Sequence, residues 1–495
     1  GEIPDGASPD PADLTYQGPS PFSEPESQTM RDYLLRTFRD RKGPNDSDPA
    51  PADTSGIYYD IHSFGNLVLY PFGWTKDPAP NRDGLRSMGL KVGYFTGTDG
   101  EAYDVQQAIG LYPTSGTTDD WVYDTFGNAA YTIELGTDFF EPNEYFENTI
   151  VPEMMPAFFY SGKASQKPYQ VTQGPDSIEA ALSANQVVKG LNSQVRLTVR
   201  ADGTRYDDDN GNSGTDPTDE NTYISEGRDL PTPVNVAGGR YSIDAPSWIE
   251  GTRTFRMQAA DGVFNSPTET LTASIDTRNL SVGRHTIFVE SRDAQGRFGA
   301  PSAIFLDVLD APSDARVQRA GAGDDVVVGR TGNDVIYGGG GNDTIRTLGG
   351  TNLVLAGVGN DRVIGNGGDD VLYGGEGNDI LNGRQDADKL YGDAGDDRLV
   401  GNVGDDELWG GKGADTLNGG AGKDTFKVFF NQGTDTIEDF KLGDDLIDLG
   451  GAIGFDQVTL VQEGSNTRVN FQKETLAILS GVAANTIAAS AFVPV

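Results

Sequence analysis

The chain has 495 residues and a formal charge of −38, with 75 Asp and Glu against 37 Lys and Arg. This length predicts three or four domains, and the acidic surface argues against nucleic acid and anionic membranes as partners while favouring cations. Cysteine is absent, which excludes disulfides and thiolate metal sites, and no apolar run reaches the ~20 residues of a membrane span.

Residues 1–173 alternate helical and strand patterns, which predicts an α/β domain. "SEPESQTMRDYLLRTFRDR" opens with a capping box, Ser23 and Glu26, and predicts an amphipathic helix. A buried strand is predicted in "GIYYDIH", a strand in "NAAYTIELG", a short helix in "TTDDWVYDTFG" and a closing helix in "EYFENTIVPEMMPAFFYSG". His62 and Glu134 end the two strands, where α/β sheets collect functional side chains. An isolated histidine there is more often a core residue than a ligand.

Four motifs in this region carry a family resemblance. "TYQGPSPFSEPESQ", "IHSFGNLVLYPFG", "LYPTSG" and "YTIELG" resemble, in order and approximate spacing, the carboxy-terminal half of zinc carboxypeptidases of the A/B and T type. The resemblance implies that His62 is a zinc ligand, that Glu134 activates zinc-bound water and that Tyr112 closes over the substrate's terminal carboxylate. It places Asp119 at the floor of the side-chain pocket, where its charge would select peptides ending in Lys or Arg. The alternative is that Asp119 or Asp120 caps the following helix.

The resemblance also exposes a missing half of the site. The family's other two zinc ligands form an upstream His-x-x-Glu motif, which this sequence does not contain, and His62 and His285 are its only histidines. We therefore expect that the chain begins downstream of half its active site, and that alone it binds little zinc and has no carboxypeptidase activity. The exposed sheet edge would be covered by a noncovalent amino-terminal fragment or by other copies of the chain. The family further implies a cis peptide bond at Ser63–Phe64.

Residues 174–312 read as an all-β sandwich. "QVRLTVRAD", "TFRMQAADG", "TLTASIDT" and "RHTIFVES" alternate apolar and polar residues between turns. The acidic segment of residues 206–220 does not fit the EF-hand spacing and is interpreted as a solvated loop rather than a calcium site. His285 has no second histidine nearby and is interpreted as structural.

Residues 320–427 divide into twelve blocks of nine without a break in register, from "AGAGDDVVV" to "GGAGKDTFK". The sixth position is Asp in every block except the fourth, which has Asn352, and the eighth is always apolar. Glycines permit a tight left-handed loop and the last three residues form a short strand, so each block is half a turn of a coil. A disordered Gly/Asp linker would not explain twelve apolar residues at a fixed period.

This repeat resembles the RTX parallel β-roll. Stacked carboxylates and loop carbonyls offer the oxygen ligands that suit calcium better than zinc. If each ion lies between blocks n and n+2, twelve blocks offer at most ten sites, about half on each edge. The fourth block, with Asn352, and the eighth, with Asp386 in place of a loop glycine, depart from the pattern. The prediction of calcium is therefore weaker at the sites that touch these two loops. The predicted ligands are the sixth-position aspartates Asp325, Asp334, Asp343, Asp361, Asp370, Asp379, Asp388, Asp397, Asp406, Asp415 and Asp424.

Residues 428–495 alternate apolar and polar residues in short runs and predict a β-rich cap over the last edge of the roll. RTX-like proteins carry an uncleaved secretion signal near the carboxy terminus, and this tail resembles those. The resemblance implies an extracellular bacterial protein, secreted by a type I system.

The predicted fold class is therefore multidomain: a partial α/β carboxypeptidase-like domain, a β-sandwich, a parallel β-roll and a cap. The predicted function is a secreted, calcium-binding zinc metallocarboxypeptidase that acts on peptides or proteins and removes C-terminal, basic residues. The alternative is an extracellular structural or adhesive protein that retains an inactive peptidase scaffold. His62, Tyr112 and Glu134 together favour the enzyme, whereas the acidic roll and the missing ligands favour the scaffold.

Overall fold

The computed structural model describes residues 25–43, 45, 47–63, 65–96, 103–110, 117–136, 145–191, 194–204, 233–450 and 453–494. The chain separates into two compact units, Gly1–Leu309 and Asp310–Val495. In the described ranges the first unit contains two apolar cores and the second contains one. None of the helices in those ranges is both long enough and apolar enough to cross a bilayer.

The amino-terminal part of the first unit is a small mixed sheet packed against helices. Its strands follow the order β1-β4-β2-β3, with β1 parallel to β4, β4 antiparallel to β2 and β2 parallel to β3. The elements are α1 (Pro25–Thr37), β1 (Ile57–His62), β2 (Leu67–Tyr70), α2 (Arg82–Thr96), β3 (Asp104–Gln107), α3 (Thr118–Phe126), β4 (Ala129–Glu134), α4 (Val151–Ala164) and α5 (Pro168–Val171). The predicted helices and strands are confirmed here, although Ser23 of the capping box lies outside the described residues.

The sheet core is formed mainly by β2, β4 and α3. Every residue of β4 is buried, and Tyr131 donates a hydrogen bond from its hydroxyl to the Leu85 carbonyl of α2 at 2.9 Å. β1 stands at the edge of the described sheet and is only half-buried, with Ile61 and His62 exposed. The prediction of a buried strand ending at His62 is therefore wrong, because an edge strand is covered on fewer sides than β4.

The second part of the first unit is all-β, as predicted. Its strands are β5 (Asp176–Leu182), β6 (Gln186–Val188), β7 (Gln194–Asp202), β8 (Val236–Ile243), β9 (Thr254–Ala259), β10 (Thr268–Asp276), β11 (Gly283–Asp293) and β12 (Ser302–Leu309). They are hydrogen-bonded in one continuous order, β5-β7-β10-β9-β8-β11-β12-β6. Alternate residues of β7, β10, β11 and β12 share one buried core, so the single ladder folds over into two layers.

His285, one of the two histidines, is structural as predicted. It is 5% exposed, its Nδ1 lies 2.7 Å from Asp244 Oδ2, and its Nε2 lies 3.0 Å from the Ser281 carbonyl oxygen. Burial alone lowers the pKa of His285, but the hydrogen bonds to Ser281 and Asp244 outweigh it and the net pKa is raised. Two acceptors on one ring favour the doubly protonated imidazolium.

We therefore expect the folded-state pKa of His285 to exceed the ordinary value of about 6.5. The stability contributed by this imidazolium is complete below the unfolded pKa and is lost as the pH rises through the raised folded pKa. Proton NMR of the histidine ring resonances measures this directly, with His285→Gln to assign the signal. Asp244→Asn is expected to lower the pKa, and a His285 pKa at or below the ordinary value would contradict the assignment.

A buried ion pair joins the two parts of the first unit. Lys91 Nζ of α2 lies 2.7 Å from Asp176 Oδ2 of β5, and both side chains have 0% exposure. Asp176 Oδ1 also accepts hydrogen bonds from the Ala300 N–H at 3.1 Å and from the Tyr160 hydroxyl at 3.4 Å. The helical layer and the β-rich part are thus connected through charges that water does not reach.

The second unit is a parallel roll of two sheets. Odd-numbered strands form one sheet: β13 (Arg316–Arg319), β15 (Asp334–Gly340), β17 (Leu353–Val358), β19 (Val371–Glu376), β21 (Lys389–Ala394), β23 (Glu407–Lys412), β25 (Thr425–Lys427) and β27 (Leu446–Asp448). The other sheet contains β14 (Val326–Val328), β16 (Thr344–Arg346), β18 (Arg362–Asn366), β20 (Ile380–Gln385), β22 (Arg398–Val403), β24 (Thr416–Ala421), β26 (Asp435–Ile437), β30 (Glu474–Leu479), β29 (Asn466–Phe471) and β28 (Val458–Glu463).

The register of the roll confirms that each block is half a turn. Partners lie 18 residues apart, as in Val371 with Lys389 and Ile380 with Arg398. The eighth-position side chains from Ile336 to Phe426 are fully buried in one column, and Val327 of the first block is partly buried against it. Beyond the repeats, β26 and β27 extend the two sheets, and β28–β30 complete the predicted β-rich cap.

Candidate active site and calcium-binding edges

His62 and Glu134 end two adjacent parallel strands. The β1–β4 ladder runs in register from Ile57 opposite Ala129 to His62 opposite Glu134. The Leu135 N–H donates to the His62 carbonyl at 2.9 Å, so the ladder continues just past the pair. Neighbouring strands lie about 4.8 Å apart, and residues in register project to the same face. The imidazole and the carboxylate are therefore placed side by side.

The surroundings of His62 do not complete a zinc site. Its side chain is 52% exposed and its Nε2 lies 3.3 Å from Asp60 Oδ1. In the ranges that the structure describes, no three His, Cys, Asp or Glu side chains converge as metal ligands. Since catalytic zinc takes three protein ligands, His62 and its neighbours do not fit zinc unaided.

Glu134 is the buried partner of this pair, with 7% exposure. Burial raises the pKa of Glu134, the charge of His62 lowers it and the charge of Asp60 raises it, with a net upward shift. A carboxylate with a raised pKa accepts a proton more readily than a solvated one. Glu134 therefore has the electrostatic setting of a general base.

Asp119 and Asp120 lie in the first turn of α3, and neither caps it. The cap residue is Thr117, which makes no side-chain capping hydrogen bond, so the capping alternative is wrong. Asp120 Oδ2 accepts the Gly73 N–H at 2.8 Å, and burial, aided by the charge of Asp119, raises the pKa of Asp120 to about 7. Asp119 is 1% exposed and neither carboxylate oxygen has a hydrogen-bond partner within the described ranges. Burial raises the pKa of Asp119.

Two parts of the sequence-based site fall outside the described residues. Tyr112 belongs to the unassigned range 111–116, and Phe64 of the predicted cis bond is likewise outside. The acidic segment of residues 206–220 is also outside. A cis peptide bond that does not precede proline is described between Pro71 and Phe72.

The repeat aspartates form two ladders along the edges of the roll. From Asp343 onwards, Oδ1 of each sixth-position aspartate accepts the backbone N–H of the sixth-position residue 18 earlier. The distances are 2.8 Å from Asp325 to Asp343, 2.6 Å from Asp361 to Asp379 and 3.0 Å from Asp406 to Asp424. From Asp334 to Asp424 the aspartates at this position are no more than 2% exposed. One carboxylate oxygen per residue is thus used by the backbone, and the other remains.

The remaining oxygen fits a calcium ligand. From Asp343 to Asp424, Oδ2 of each sixth-position aspartate is buried without a hydrogen-bond partner in the described structure. A Cβ placed on Gly374 would lie 2.3 Å from Asp379 Oδ2 and 2.8 Å from the Gly392 carbonyl oxygen, and Gly392 repeats this with Asp397 and Gly410. Glycine therefore leaves a small cradle where carboxylate and carbonyl oxygens from successive turns converge, which is the donor chemistry of calcium.

The aspartate ladders are electrostatically unfavourable without a bound cation. Burial and the charges of neighbouring carboxylates outweigh the opposing hydrogen bonds, and they raise the pKa of Asp379 and Asp388 to about 8 and that of Asp370 and Asp397 to about 7. These carboxylates are therefore costly to ionise without a counter-charge. A bound divalent cation offsets that cost.

The two departures from the repeat behave differently. Asn352 keeps its place in the ladder: its Oδ1 accepts the Asp334 N–H at 2.9 Å and its Nδ2 donates to Asp370 Oδ1 at 2.8 Å. The Asn352 amide carries no negative charge that would attract a cation, and its Nδ2 already occupies Oδ1 of Asp370. Asp386 has a φ of 71° and accepts the Gly368 N–H at 2.9 Å.

Comparison with known proteins settles the two resemblances. Residues 2–155 match the family model of the zinc carboxypeptidases. The amino-terminal part of the chain is similar to the zinc carboxypeptidases. Residues 319–354, 355–390 and 391–426 each match the model of the RTX calcium-binding nonapeptide repeat. Both families predicted from the sequence are confirmed.

The carboxypeptidase domain has relatives in animals. Carboxypeptidase B of Astacus astacus is 32% identical over 133 residues, 26% of this chain and 39% of the relative. Carboxypeptidase A1 of Mus musculus is 30% identical over 132 residues, 26% of this chain and 28% of the relative. The chain therefore spans well under half the length of these curated relatives. Among solved structures, the extracellular lipase LipA from Serratia marcescens matches 37% of this chain and 41% of its own, with 21% identity and a TM-score of 0.21.

Three acidic residues near these sites escaped the sequence analysis. Asp60, two residues before His62, contacts the imidazole in the carboxypeptidase domain. Asp435 and Asp445 extend the two aspartate ladders, accepting the N–H groups of Asp415 and Asp424 at 3.3 and 3.1 Å. Their spacings are 20 and 21 residues instead of 18, so a search at a strict period passes over them.

Proposed function

We propose that this chain contributes His62, Glu134, Tyr112 and Asp119 to a secreted, calcium-dependent zinc metallocarboxypeptidase. The observation that carries the proposal is the pairing of His62 with Glu134 at the ends of β1 and β4. A metal ligand beside a buried general base is the arrangement that metal-assisted peptide hydrolysis requires. The family match of residues 2–155 supports the same reaction class.

In this proposal the remaining zinc ligands come from polypeptide outside these 495 residues. His285 is not available, because both of its ring nitrogens are engaged by Asp244 and Ser281. Glu134 accepts and passes on a proton, His62 supplies one ligand nitrogen, and Tyr112 binds the substrate's terminal carboxylate. The exposed edge β1 and the exposed side chains of Met155 and Phe159 on α4 are the surface that the completing polypeptide would cover.

Asp119 is proposed to select a basic C-terminal residue. It is buried, both its oxygens lack hydrogen-bond partners in the described ranges, and a substrate Lys or Arg would supply the missing counter-charge. The neighbouring Asp120 differs, because it already binds the Gly73 N–H.

In the completed enzyme, Asp119→Ala is expected to lower the ratio of kcat/KM for Lys-ending over Phe-ending peptides by about tenfold or more. Asp120→Ala is the matched control: it removes the Gly73 hydrogen bond and is expected to lower the melting temperature while leaving the ratio in place. Steady-state kinetics with the two peptides measure both variants. An unchanged ratio in Asp119→Ala would refute the assignment.

Calcium is proposed to bind along both edges of the roll, through the free Oδ2 atoms and loop carbonyls. Secretion of the unfolded chain, followed by folding in a calcium-rich exterior, is consistent with carboxylates that are buried and costly without cations. The type I secretion route and the bacterial origin remain part of the proposal, supported by the RTX repeats.

A second function is an extracellular structural or adhesive protein with an inactive peptidase scaffold. It is favoured by the half-exposed His62, around which no three metal ligands converge among the described residues. Zinc content of the native material, measured with the intact mass of every associated chain, separates the two functions. Stoichiometric zinc together with an additional chain supports the enzyme, and a zinc-free protein without any such chain supports the scaffold.

A further inference from the structure

The β-rich part of the first unit contains a large polar cleft that the carboxypeptidase site does not use. Its volume is about 1010 Å³. The polar side chains at its walls are contributed by β7, β9 and β10, and the principal ones are Gln194, Arg196, Arg256, Gln258, Thr272 and Ser274. All of these except Thr272, which is intermediate, are exposed to solvent. The cleft is therefore open and hydrophilic.

The cleft exists because two strands of the ladder separate. β9 and β10 are paired only at Leu271 with Ala259 and at Thr272 with Gln258. Beyond Thr272 the two strands diverge, and Tyr241 of β8 reaches across, its hydroxyl donating to the Ser274 carbonyl at 3.3 Å. Its ring stacks on Phe255 with centroids 4.9 Å apart. The two rings form an apolar floor that keeps the walls apart.

The charge of the walls is unusual for this protein. The chain has a formal charge of −38, yet the described residues that line the cleft include no carboxylate. Arg196 and Arg256 are on opposite sides of the gap and neither has an ion-pair partner in the described structure. At the end of β10, Asp276 is neutralised by Arg278, whose Nη2 lies 2.6 Å away. Two unpaired guanidinium groups make the cleft a local positive site that attracts anions.

The lining of the cleft distinguishes between anionic ligands. It consists of side chains from β7, β9 and β10, whereas a peptide that adds to a sheet is held by the backbone of one strand edge. Hydroxyl and carboxamide side chains both donate and accept hydrogen bonds, which matches the hydroxyl groups of a sugar ring.

We propose that this cleft binds an anionic oligosaccharide, a chain of hydroxylated rings bearing carboxylate or sulfate groups. Arg196 and Arg256 pair with the acidic groups, while Gln194, Gln258 and Ser274 bond the hydroxyls. The site is independent of the zinc chemistry at His62 and Glu134. It gives the protein a means of attachment to an acidic glycan.

The test is calorimetric titration of the full chain at saturating calcium with oligogalacturonate, a sulfated oligosaccharide, a neutral oligoglucose and oligoglutamate. We expect one or both anionic sugars to bind, and the neutral sugar and the peptide to bind at least about tenfold more weakly. Arg196→Gln and Arg256→Gln should each raise the Kd of the anionic sugar about tenfold. Arg346→Gln is the matched control, because Arg346 is an exposed arginine of the roll. It makes the same charge change and should leave Kd unchanged.

A steric variant keeps the test valid if an arginine variant folds poorly. Ser274→Trp adds a bulky side chain in the cleft without changing charge and is expected to abolish binding. Preference for the carboxylated or the sulfated sugar identifies the acidic group. Absence of binding, equal binding of the neutral sugar or of oligoglutamate, or binding that Arg196→Gln, Arg256→Gln and Ser274→Trp leave intact would overturn the proposal.

Discussion

Removal of calcium is expected to unfold the roll of residues 320–427 while the unit Gly1–Leu309 stays folded. The sixth-position aspartates from Asp334 to Asp424 are buried along two edges, and without cations their charges repel one another and lack solvation. Hydrogen exchange of the full chain, followed by mass spectrometry, measures this by segment. Peptides from the roll should lose nearly all protection in chelator and regain it cooperatively as calcium rises to millimolar concentrations.

The variant Asp397→Asn tests whether the charge of a single ladder aspartate contributes to calcium binding. The amide keeps the acceptor that Asp397 Oδ1 offers to the Asp379 N–H, as Asn352 does for Asp334, but it removes the charge. We expect a higher calcium midpoint than in the wild type, and no such shift in the exposed control Asp456→Asn. A roll that is fully protected in chelator would refute calcium-dependent folding.

Acidification is expected to stabilise the calcium-free roll and so to replace part of the effect of calcium. The pKa of Asp379 and Asp388 is raised by burial to about 8, against an ordinary value of 3.8. The calcium-free folded roll therefore binds protons that the unfolded chain does not, and its stability rises as the pH falls from about 8 towards about 4. Circular dichroism in chelator across this range measures the effect, and a calcium-free roll that loses β-structure on acidification would contradict it.

The second large effect concerns Glu134. The chain alone is expected to bind substoichiometric zinc and to release no C-terminal residue, because His62 is one ligand and catalytic zinc takes three. Adding an upstream polypeptide with a His-x-x-Glu motif should restore zinc binding and activity. In that complex Glu134→Gln should lower kcat about 10²–10⁴-fold, the usual contribution of a general base.

Two controls distinguish the loss of a general base from a loss of folding or zinc binding in this complex. Glu250→Gln removes an exposed carboxylate of the first unit and should leave kcat unchanged. Glu134→Gln should retain zinc, since the carboxylate is proposed as a base and not as a ligand. If zinc and activity are both absent in the reconstituted pair, the enzyme proposal fails and the scaffold function stands.

The roll could be predicted in detail because each of its contacts repeats. Position eight faces inward in every turn, so one apolar residue per block, from Ile336 to Phe426, defines the core. The ladder hydrogen bond from each N–H to a carboxylate 18 residues later could not be predicted, because the repeat pattern does not say which oxygen faces the backbone. Asp435 and Asp445 were missed for a related reason: insertions shift their spacing while the three-dimensional ladder continues.

The carboxypeptidase domain was predictable at its strand ends and less so elsewhere. The apolar runs place His62 and Glu134 correctly, but register, which makes them partners, depends on pairing between segments 72 residues apart. Asp119 and Asp120 differ because the Gly73 N–H donates a hydrogen bond to Asp120 only. Burial of β1 was overestimated because apolar content alone does not show whether a strand is at the edge of its sheet.

The buried pair Lys91–Asp176 has a consequence for how this chain can be divided. The sequence suggests a cut after residue 173, where the helical pattern ends, but Asp176 lies just beyond it and holds a lysine that is fully enclosed. A fragment ending at that cut would lose Asp176 and uncover the Lys91 ammonium, together with the Tyr160 hydroxyl that donates to the same carboxylate. The carboxypeptidase part and its β-rich neighbour are therefore expected to be stable only when they are expressed as one piece, whereas the apolar core of the roll lies entirely within its own unit.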